Sequence, residues 1–397
     1  MKILLFKMLT FFLLPILFLM LLIFSIKYKV RISLLNVNRI GHLALNTEVT
    51  LRNFISKETK MGKNFKERLF LVAPELPYHN ASNSQLIKMF ARHKNVYQSW
   101  FFYRLISVWH QFFLKTPFFF STSHSMDGKE FKLLNKNPPS ISFNPDEVKQ
   151  GESFLNEIGI GTNKYVCIFQ RDSNYLHKKE NKSQYQRSCR DSDIDSLIPS
   201  IKCLIKKGFF VIRIGSEAKH QVSFQDDRFI DYSFSKYVSE FNDIYLIANS
   251  SFLVGSTSGI CDVAMVFDVP RLVINSIPFG HSTIGKNSMF IPKKITKESA
   301  LMSYFDKDIK SLIDNFSCDF VKEKGYEYLD NTDEEILAAV QDFLEYLSCN
   351  GRLESDYLIQ MNKYYDDYLR GTLYESVLVP LCPSWFYKNL KLYYANE

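Results

Sequence analysis

Past residue 150, short apolar strands alternate with amphipathic helices, and this alternation constrains the fold more than any other feature of the chain. Residues 165–169 are a continuous apolar run, 193–207 carry Leu197, Ile201, Leu204 and Ile205 on one helical face with Gly208 past the end, and 209–214 are apolar again. The unit repeats: 229–232, 252–254 and 272–275 read as strands, with 239–248 and 259–267 as helices between them. Strands separated by helices cannot pair as hairpins. They need crossovers, which makes an open parallel sheet of Rossmann-like type, an α/β fold.

The region before residue 145 is less regular. It offers one clear strand over 68–73, ended by Pro74 and Pro77, and a helix over 84–93 that Asn83 or Ser84 would cap. Residues 100–120 are rich in Phe and Trp and fit a buried helix, a second membrane-contacting surface or part of a cleft. The Pro- and Asn-rich run 135–145 reads as a linker. The 397 residues therefore suit two or three domains, at about 150 residues each. Residues 297–397 read as mainly helical, with a Tyr-rich end able to pack back on the first domain.

Residues 8–26 are free of charge; as one helix they would reach about 28 Å, close to a hydrocarbon core of about 30 Å. No small-residue cleavage site follows, which argues against a signal peptide. Pro15 within the run and bases on both sides leave two forms open, a single span or a kinked anchor in one leaflet. The net charge of +7 divides into +13 for residues 1–150 and −6 for the rest. That excess suits anionic lipid headgroups, and no basic recognition helix points to nucleic acid. The seven cysteines, odd in number and without a C-x-x-C pair, are expected to be free thiols in a reducing compartment. None lies at zinc-ligand spacing with another Cys or a His.

In an open α/β sheet, ligands gather outside the carboxyl ends of the strands. Gln170, Arg171 and Asp172 follow the first strand, Gly215, Ser216 and Glu217 the second; Asp231 and Tyr232 end the third; Gly255, Ser256, Thr257, Ser258 and Gly259 follow the fourth. The last set fits a phosphate at a helix N-terminus, and equally a plain turn with Ser258 as cap. Arg171 suits a bidentate clamp on a diphosphate, or a salt bridge to neighbouring Asp172. Arg187 and Arg190, in the basic loop 177–190, are further clamps or solvated side chains. Gly159-Ile-Gly161 precedes a strand and lacks a third glycine, so it is no dinucleotide fingerprint. Asp191-Ser-Asp193 has the D-x-D form that holds a divalent metal in some nucleotide-sugar enzymes, although its place at a helix start favours capping by Asp193.

The strings RIGHLALNTE (39–48), QRDSNY (170–175), SCRDSDIDSLIPSIKCLIKKGFFVIRIG (188–215), IDYS (230–233), FNDIYLIANSSFLVGSTSG (241–259) and PFG (278–280) resemble a family of bacterial glycosyltransferases of surface-polysaccharide loci. The resemblance covers most of residues 31–290. More distantly, the C-terminal part is similar to GT-B type fucosyltransferases, in which a basic strand-end motif and a Ser/Thr-rich strand end hold the nucleotide diphosphate. Arg171 matches the first and Ser256 to Ser258 the second, with Gln170 and Asp172 where those enzymes have a His and a second Arg.

The resemblance implies a GT-B-like α/β fold, two Rossmann-like domains facing a cleft, which would follow the N-terminal hydrophobic membrane anchor read from residues 8–26. Its segments would be an anchor (1–30), an acceptor-side domain (31–145), a nucleotide-sugar domain (146–345) and a helical tail (346–397). It implies a glycosyltransferase without metal or cofactor, on the cytoplasmic face of a bacterial inner membrane. The implied partners are a nucleotide sugar, a glycan or lipid-linked acceptor and membrane lipids. Arg171, Ser256, Thr257, Ser258 and Gly259 would hold the donor diphosphate, and Gly215, Asp231 and Tyr232 the nucleoside, Asp231 as hydrogen-bond acceptor and Tyr232 as stacking surface. His42, Glu48 or Asp172 would take the proton of the acceptor hydroxyl. Two rival expectations are a metal-dependent GT-A type transferase and a non-catalytic membrane-tethered protein that binds a polysaccharide assembly partner.

Overall fold

The computed structural model describes residues 2–125, 127–172, 189–215, 218–277, 287–303, 309, 318–368 and 379–392. The chain forms two compact units, Met1–His124 with Asn137–Phe143, and Ser125–Lys136 with Asn144–Glu397.

Unit 1 opens on α1 (Lys2–Phe11) and α2 (Leu14–Ser25), whose apolar parts are bent by 48° at the break. Pro15 sits in the first turn of α2, where its missing N–H breaks no intrahelical bond, and it cannot donate back into α1. Among the described residues no single helix is long and apolar enough to cross a membrane; only the bent pair taken together has the length and composition of a span. Next come β1 (Lys29–Leu34), α3 (Thr47–Met61), β2 (Glu67–Ala73), α4 (Ser84–Ala91) and β3 (Val96–Gln98), with the strands parallel in the order β1-β2-β3. Asn83 caps α4, its Oδ1 accepting from Leu86 N at 2.9 Å. The aromatic run becomes α5 (Trp100–Val108), with Leu105 and Ile106 in the core and Trp100, Phe101 and Phe102 exposed. The expected linker is strapped to this unit: Arg52 Nη1 donates to Asn137 O and Arg92 Nη2 to Ser142 O, both at 2.7 Å.

Unit 2 contains α6 (Pro145–Glu157), β4 (Tyr165–Phe169), α7 (Ile198–Lys206), β5 (Phe210–Arg213), β6 (Phe229–Asp231), α8 (Glu240–Asn249), β7 (Leu253–Ser256), α9 (Gly259–Val266), β8 (Arg271–Ser276) and β9 (Ser288–Pro292). Its six-stranded sheet is parallel throughout, in the order β6-β5-β4-β7-β8-β9. Val166, Val211, Leu253 and Val254 are fully buried in it, each contributing about 1.5–3 kcal/mol relative to exposure. Gly151 of α6 lies flush against Tyr245 of α8; a Cβ there would overlap the ring. Strand order reverses between β4 and β7, so the carboxyl ends of those two strands flank the crevice where such sheets take ligands.

The C-terminal part is less helical than expected. β10 (Lys294–Lys297), β11 (Ala300–Leu301) and β12 (Tyr326–Leu329) form an antiparallel sheet ahead of α10 (Asp333–Ser348). The tail belongs to unit 2, where Tyr357 Oη donates to Leu381 O at 2.6 Å. Cys189 and Cys318 are joined by a disulfide with their Cα atoms 5.6 Å apart, so the expectation of seven free thiols is corrected and five remain free.

Candidate functional site

At the switch point β4 and β7 run side by side, with Phe169 opposite Gly255. A Cβ at Gly255 would stand 3.0 Å from Phe169 O, so glycine lets the two strand ends close up. Just beyond, Ser256 Oγ accepts from Arg171 N at 2.8 Å and ties the two loops together. Arg171 Nε lies 3.7 Å from Asp191 Oδ1, and its side chain keeps 20% of its surface exposed. Its partner is therefore Asp191 and not neighbouring Asp172, whose Oδ2 accepts from Lys219 N at 2.9 Å.

Ser192, whose N donates to Arg171 O at 3.0 Å, has a buried hydroxyl with no hydrogen-bond partner among the described residues, and so does Thr257. Ser258 occupies the cap position of α9, but its hydroxyl bonds no helix N–H. A capping role is thus not realised. Leaving buried hydroxyls unmade is costly, and an anion at this helix terminus would satisfy them alongside Arg171. Gly259 opens the helix, and one residue in its first turn was not singled out from sequence. Burial pushes the Asp262 carboxyl up to about 7, against the pull of Arg271 and Arg190. It lies one turn past Ser258 on the same helix face, the only signal the sequence offers for it.

On the other side of Phe169, Gly215 has φ 125°, a conformation that favours glycine. A Cβ there would come 3.1 Å from the Phe169 ring and 3.9 Å from Ser233 Oγ, which is buried and unpartnered among the described residues. Asp231 and Tyr232, the expected nucleoside contacts, are occupied by the fold. Arg213 Nη1 donates to Asp231 Oδ1 and Oδ2 at 3.0 and 3.3 Å, and Val222 N to Oδ2 at 3.0 Å. Tyr232 is 1% exposed; its hydroxyl donates to Asp243 Oδ1 at 2.8 Å and accepts from Ser239 N at 3.0 Å. Neither is placed to receive a nucleoside. The 3-10 turn Tyr232–Phe234 offers Ser233 instead, one residue along from those expected.

The D-x-D carboxylates do not act together. Asp191 faces Arg171 and is 5% exposed, whereas Asp193 caps the turn Ile194–Leu197, its Oδ1 accepting from Asp195 N at 3.1 Å. Asp193, Asp195 and His220 do bring ligand atoms within 4.8 Å of one another. Asp195, however, already accepts from Ser223 N and Oγ at 3.1 and 2.7 Å. Gln170 is structural, its Nε2 donating to Asp193 O at 3.0 Å and Ser196 Oγ at 2.9 Å.

In unit 1, Glu48 is fully buried and saturated: Oε1 accepts from Arg52 Nε at 2.5 Å and Ser140 N at 2.7 Å, and Oε2 from the Ser140 hydroxyl. Burial raises its pKa while Arg52 opposes the rise. In this arrangement its carboxylate is turned away from solvent. His42 is different. It opens the π-helical turn His42–Asn46, its Nδ1 is 3.1 Å from Asn36 Nδ2, and its ring centroid is 6.2 Å from that of His124. Burial lowers the pKa of both, His124 to about 4, so both imidazoles are neutral near pH 7. His124 gave no sign in the sequence, being 82 residues away from its neighbour. Arg187, Ser216, Glu217 and the PFG string at 278–280 lie outside the described residues.

No family model and no curated protein matches the chain in sequence. Among solved structures it is similar to a glycosyl transferase family 9 protein from Veillonella parvula, with 11% identity, covering 80% of this chain and 98% of that one at a TM-score of 0.49. It is also similar to the E. coli ADP-heptose LPS heptosyltransferase II, with 10% identity over 74% and 99% of the two chains and a TM-score of 0.41. The iron-containing dodecameric glycosyltransferase TibC from enterotoxigenic E. coli is a third neighbour, with 12% identity over 82% and 78% of the two chains and a TM-score of 0.37.

Proposed function

We propose that the chain is a glycosyltransferase that binds a nucleotide-diphosphate sugar at the β4 and β7 ends of unit 2 and passes the sugar to a glycan or lipid-linked acceptor. The observation that carries this reading is Arg171 at the switch point of a parallel sheet, its N tied to Ser256 Oγ, on the same loops as the buried hydroxyls of Thr257 and Ser192, which are unpartnered among the described residues. Loss of a nucleoside diphosphate concentrates negative charge on the departing phosphates. Arg171 and the N-terminus of α9 offset that charge from fixed positions. Phe169, Gly215 and Ser233 then form the nucleoside end of the same rim. The proton of the acceptor hydroxyl goes to one of the expected bases, of which Asp172 stands on this same rim beside Arg171. This assigns the donor to unit 2.

The test is a thermal-shift screen over UDP, GDP, CMP, dTDP and ADP sugars, followed by a transfer assay with the donor that stabilises. A true ligand at a hundredfold excess over its Kd adds about 2.7 kcal/mol to stability. If no nucleotide sugar stabilises the fold, the non-catalytic reading replaces this one. Transfer is expected to persist in excess chelator. Its loss would transfer the chemistry to a metal held by Asp193, Asp195 and His220.

A further inference from the structure

The helix pair at the start of unit 1 has two unlike faces. One is core: Leu14 is buried, and Phe6, Leu17, Phe18 and Leu21 pack against Val30 and Ile32 of β1 and Leu105 of α5. Thr10, 2% exposed, is pinned there as well, its Oγ1 accepting from Trp109 Nε1 at 3.0 Å and donating to Phe6 O at 2.7 Å. The other face is apolar and bare, with Leu9 of α1 at 66% and Met20 of α2 at 63% exposure. A second segment extends it. Trp100 and Phe101 of α5 meet the Phe6 ring at 6.0 and 6.2 Å, and the outer surfaces of Trp100 and Phe102 remain 56% and 47% exposed. So much contiguous apolar surface on a folded unit marks an interaction site.

We propose that this composite face, α1, α2 and α5 together, docks into one leaflet of an anionic lipid bilayer without crossing it. A crossing would have to strip the inner face of the pair away from the unit 1 core and expose to water the side chains it covers there. Charge names the occupant. Six Lys or Arg and no acid precede Glu48, and five and none lie between Glu75 and Asp127, so both segments that build the face come from acid-free stretches. Lys7 lies over the Trp109 ring, Lys27 over Tyr28 and Arg31 over Phe120, cations held beside the apolar surface at the depth of lipid headgroups. This docking is independent of sugar transfer and stands or falls by itself.

The experiment has two arms on the full-length chain. In the first, flotation with phosphatidylcholine vesicles, with and without phosphatidylglycerol, compares the wild type with Trp100→Ser combined with Phe102→Ser, two side chains whose removal spares the core. Binding that requires phosphatidylglycerol and falls at least about tenfold in the double variant is expected. Equal flotation of variant and wild type overturns the role of α5. If neither floats, and the double variant turns a wild-type dimer into a monomer, the face serves self-association and the proposal fails. The second arm needs no variant beyond tags: in sealed membrane vesicles from expressing cells, protease should reach N-terminal and C-terminal epitopes from the same side. Protection of one epitope alone would mean a true crossing.

Discussion

Two arginines at the carboxyl ends of adjacent strands in one sheet, Arg213 of β5 and Arg171 past β4, have opposite situations. Arg213 is 3% exposed and grips both oxygens of Asp231 as well as His220 O at 3.1 Å. Arg171 is loosely paired at 3.7 Å, partly exposed, and flanked by hydroxyls that bond nothing among the described residues. Residue type is the same for both, Arg213 as the last residue of its strand and Arg171 two residues past the end of its own. What separates scaffold from the proposed binding site is whether the polar groups around the cation are already satisfied.

The comparison breaks most visibly at Arg171. Arg171→Ala should cut turnover by about 10²–10³-fold, as loss of a charge-stabilising group does, while the melting temperature stays near that of the wild type. Steady-state kinetics beside a melting curve reads both. Arg213→Ala should do the reverse. It leaves Asp231 without its cation and should cost about 3 kcal/mol of stability in urea unfolding, with donor affinity per folded molecule unchanged. Thr257→Val sharpens the contrast: donor affinity should fall about tenfold, or about 1.4 kcal/mol, whereas the free protein is as stable as before or more so, because an unmet hydroxyl has been removed.

A separate effect is in pH. The Asp262 carboxyl holds its proton up to about 7 in the folded chain, but releases it near about 3.9 when unfolded. Between those values the native state binds more protons, so stability decreases as pH rises from about 4 to about 7. Urea midpoints across that range should fall less in Asp262→Asn than in the wild type.

Much of unit 2 was legible because its strands are buried on both faces and read as unbroken apolar runs between helical periods. In unit 1, β1 was hidden: Lys29, Arg31 and Ser33 alternate with Val30, Ile32 and Leu34, a half-buried pattern directly abutting the longer apolar run of α1 and α2. The Ser288–Pro292 strand was missed because five residues ending in proline resemble a loop. For the site, position was readable and orientation was not. Arg171 and Ser256 follow from strand ends, but the 3-10 turn after β6 decides that Ser233, beside Gly215, is unpartnered among the described residues while Tyr232 is buried against Asp243. Pairings across long separations, Cys189 with Cys318 and His42 with His124, leave no local trace in the sequence.

The most direct measurement is the affinity of the stabilising nucleoside diphosphate for wild type, Arg171→Ala and Arg213→Ala, by titration calorimetry at one ionic strength. The open-arginine account predicts a loss of about a hundredfold at Arg171 and none at Arg213 once the folded fraction is taken into account. Equal affinity for wild type and Arg171→Ala, or a loss confined to Arg213→Ala, would contradict it.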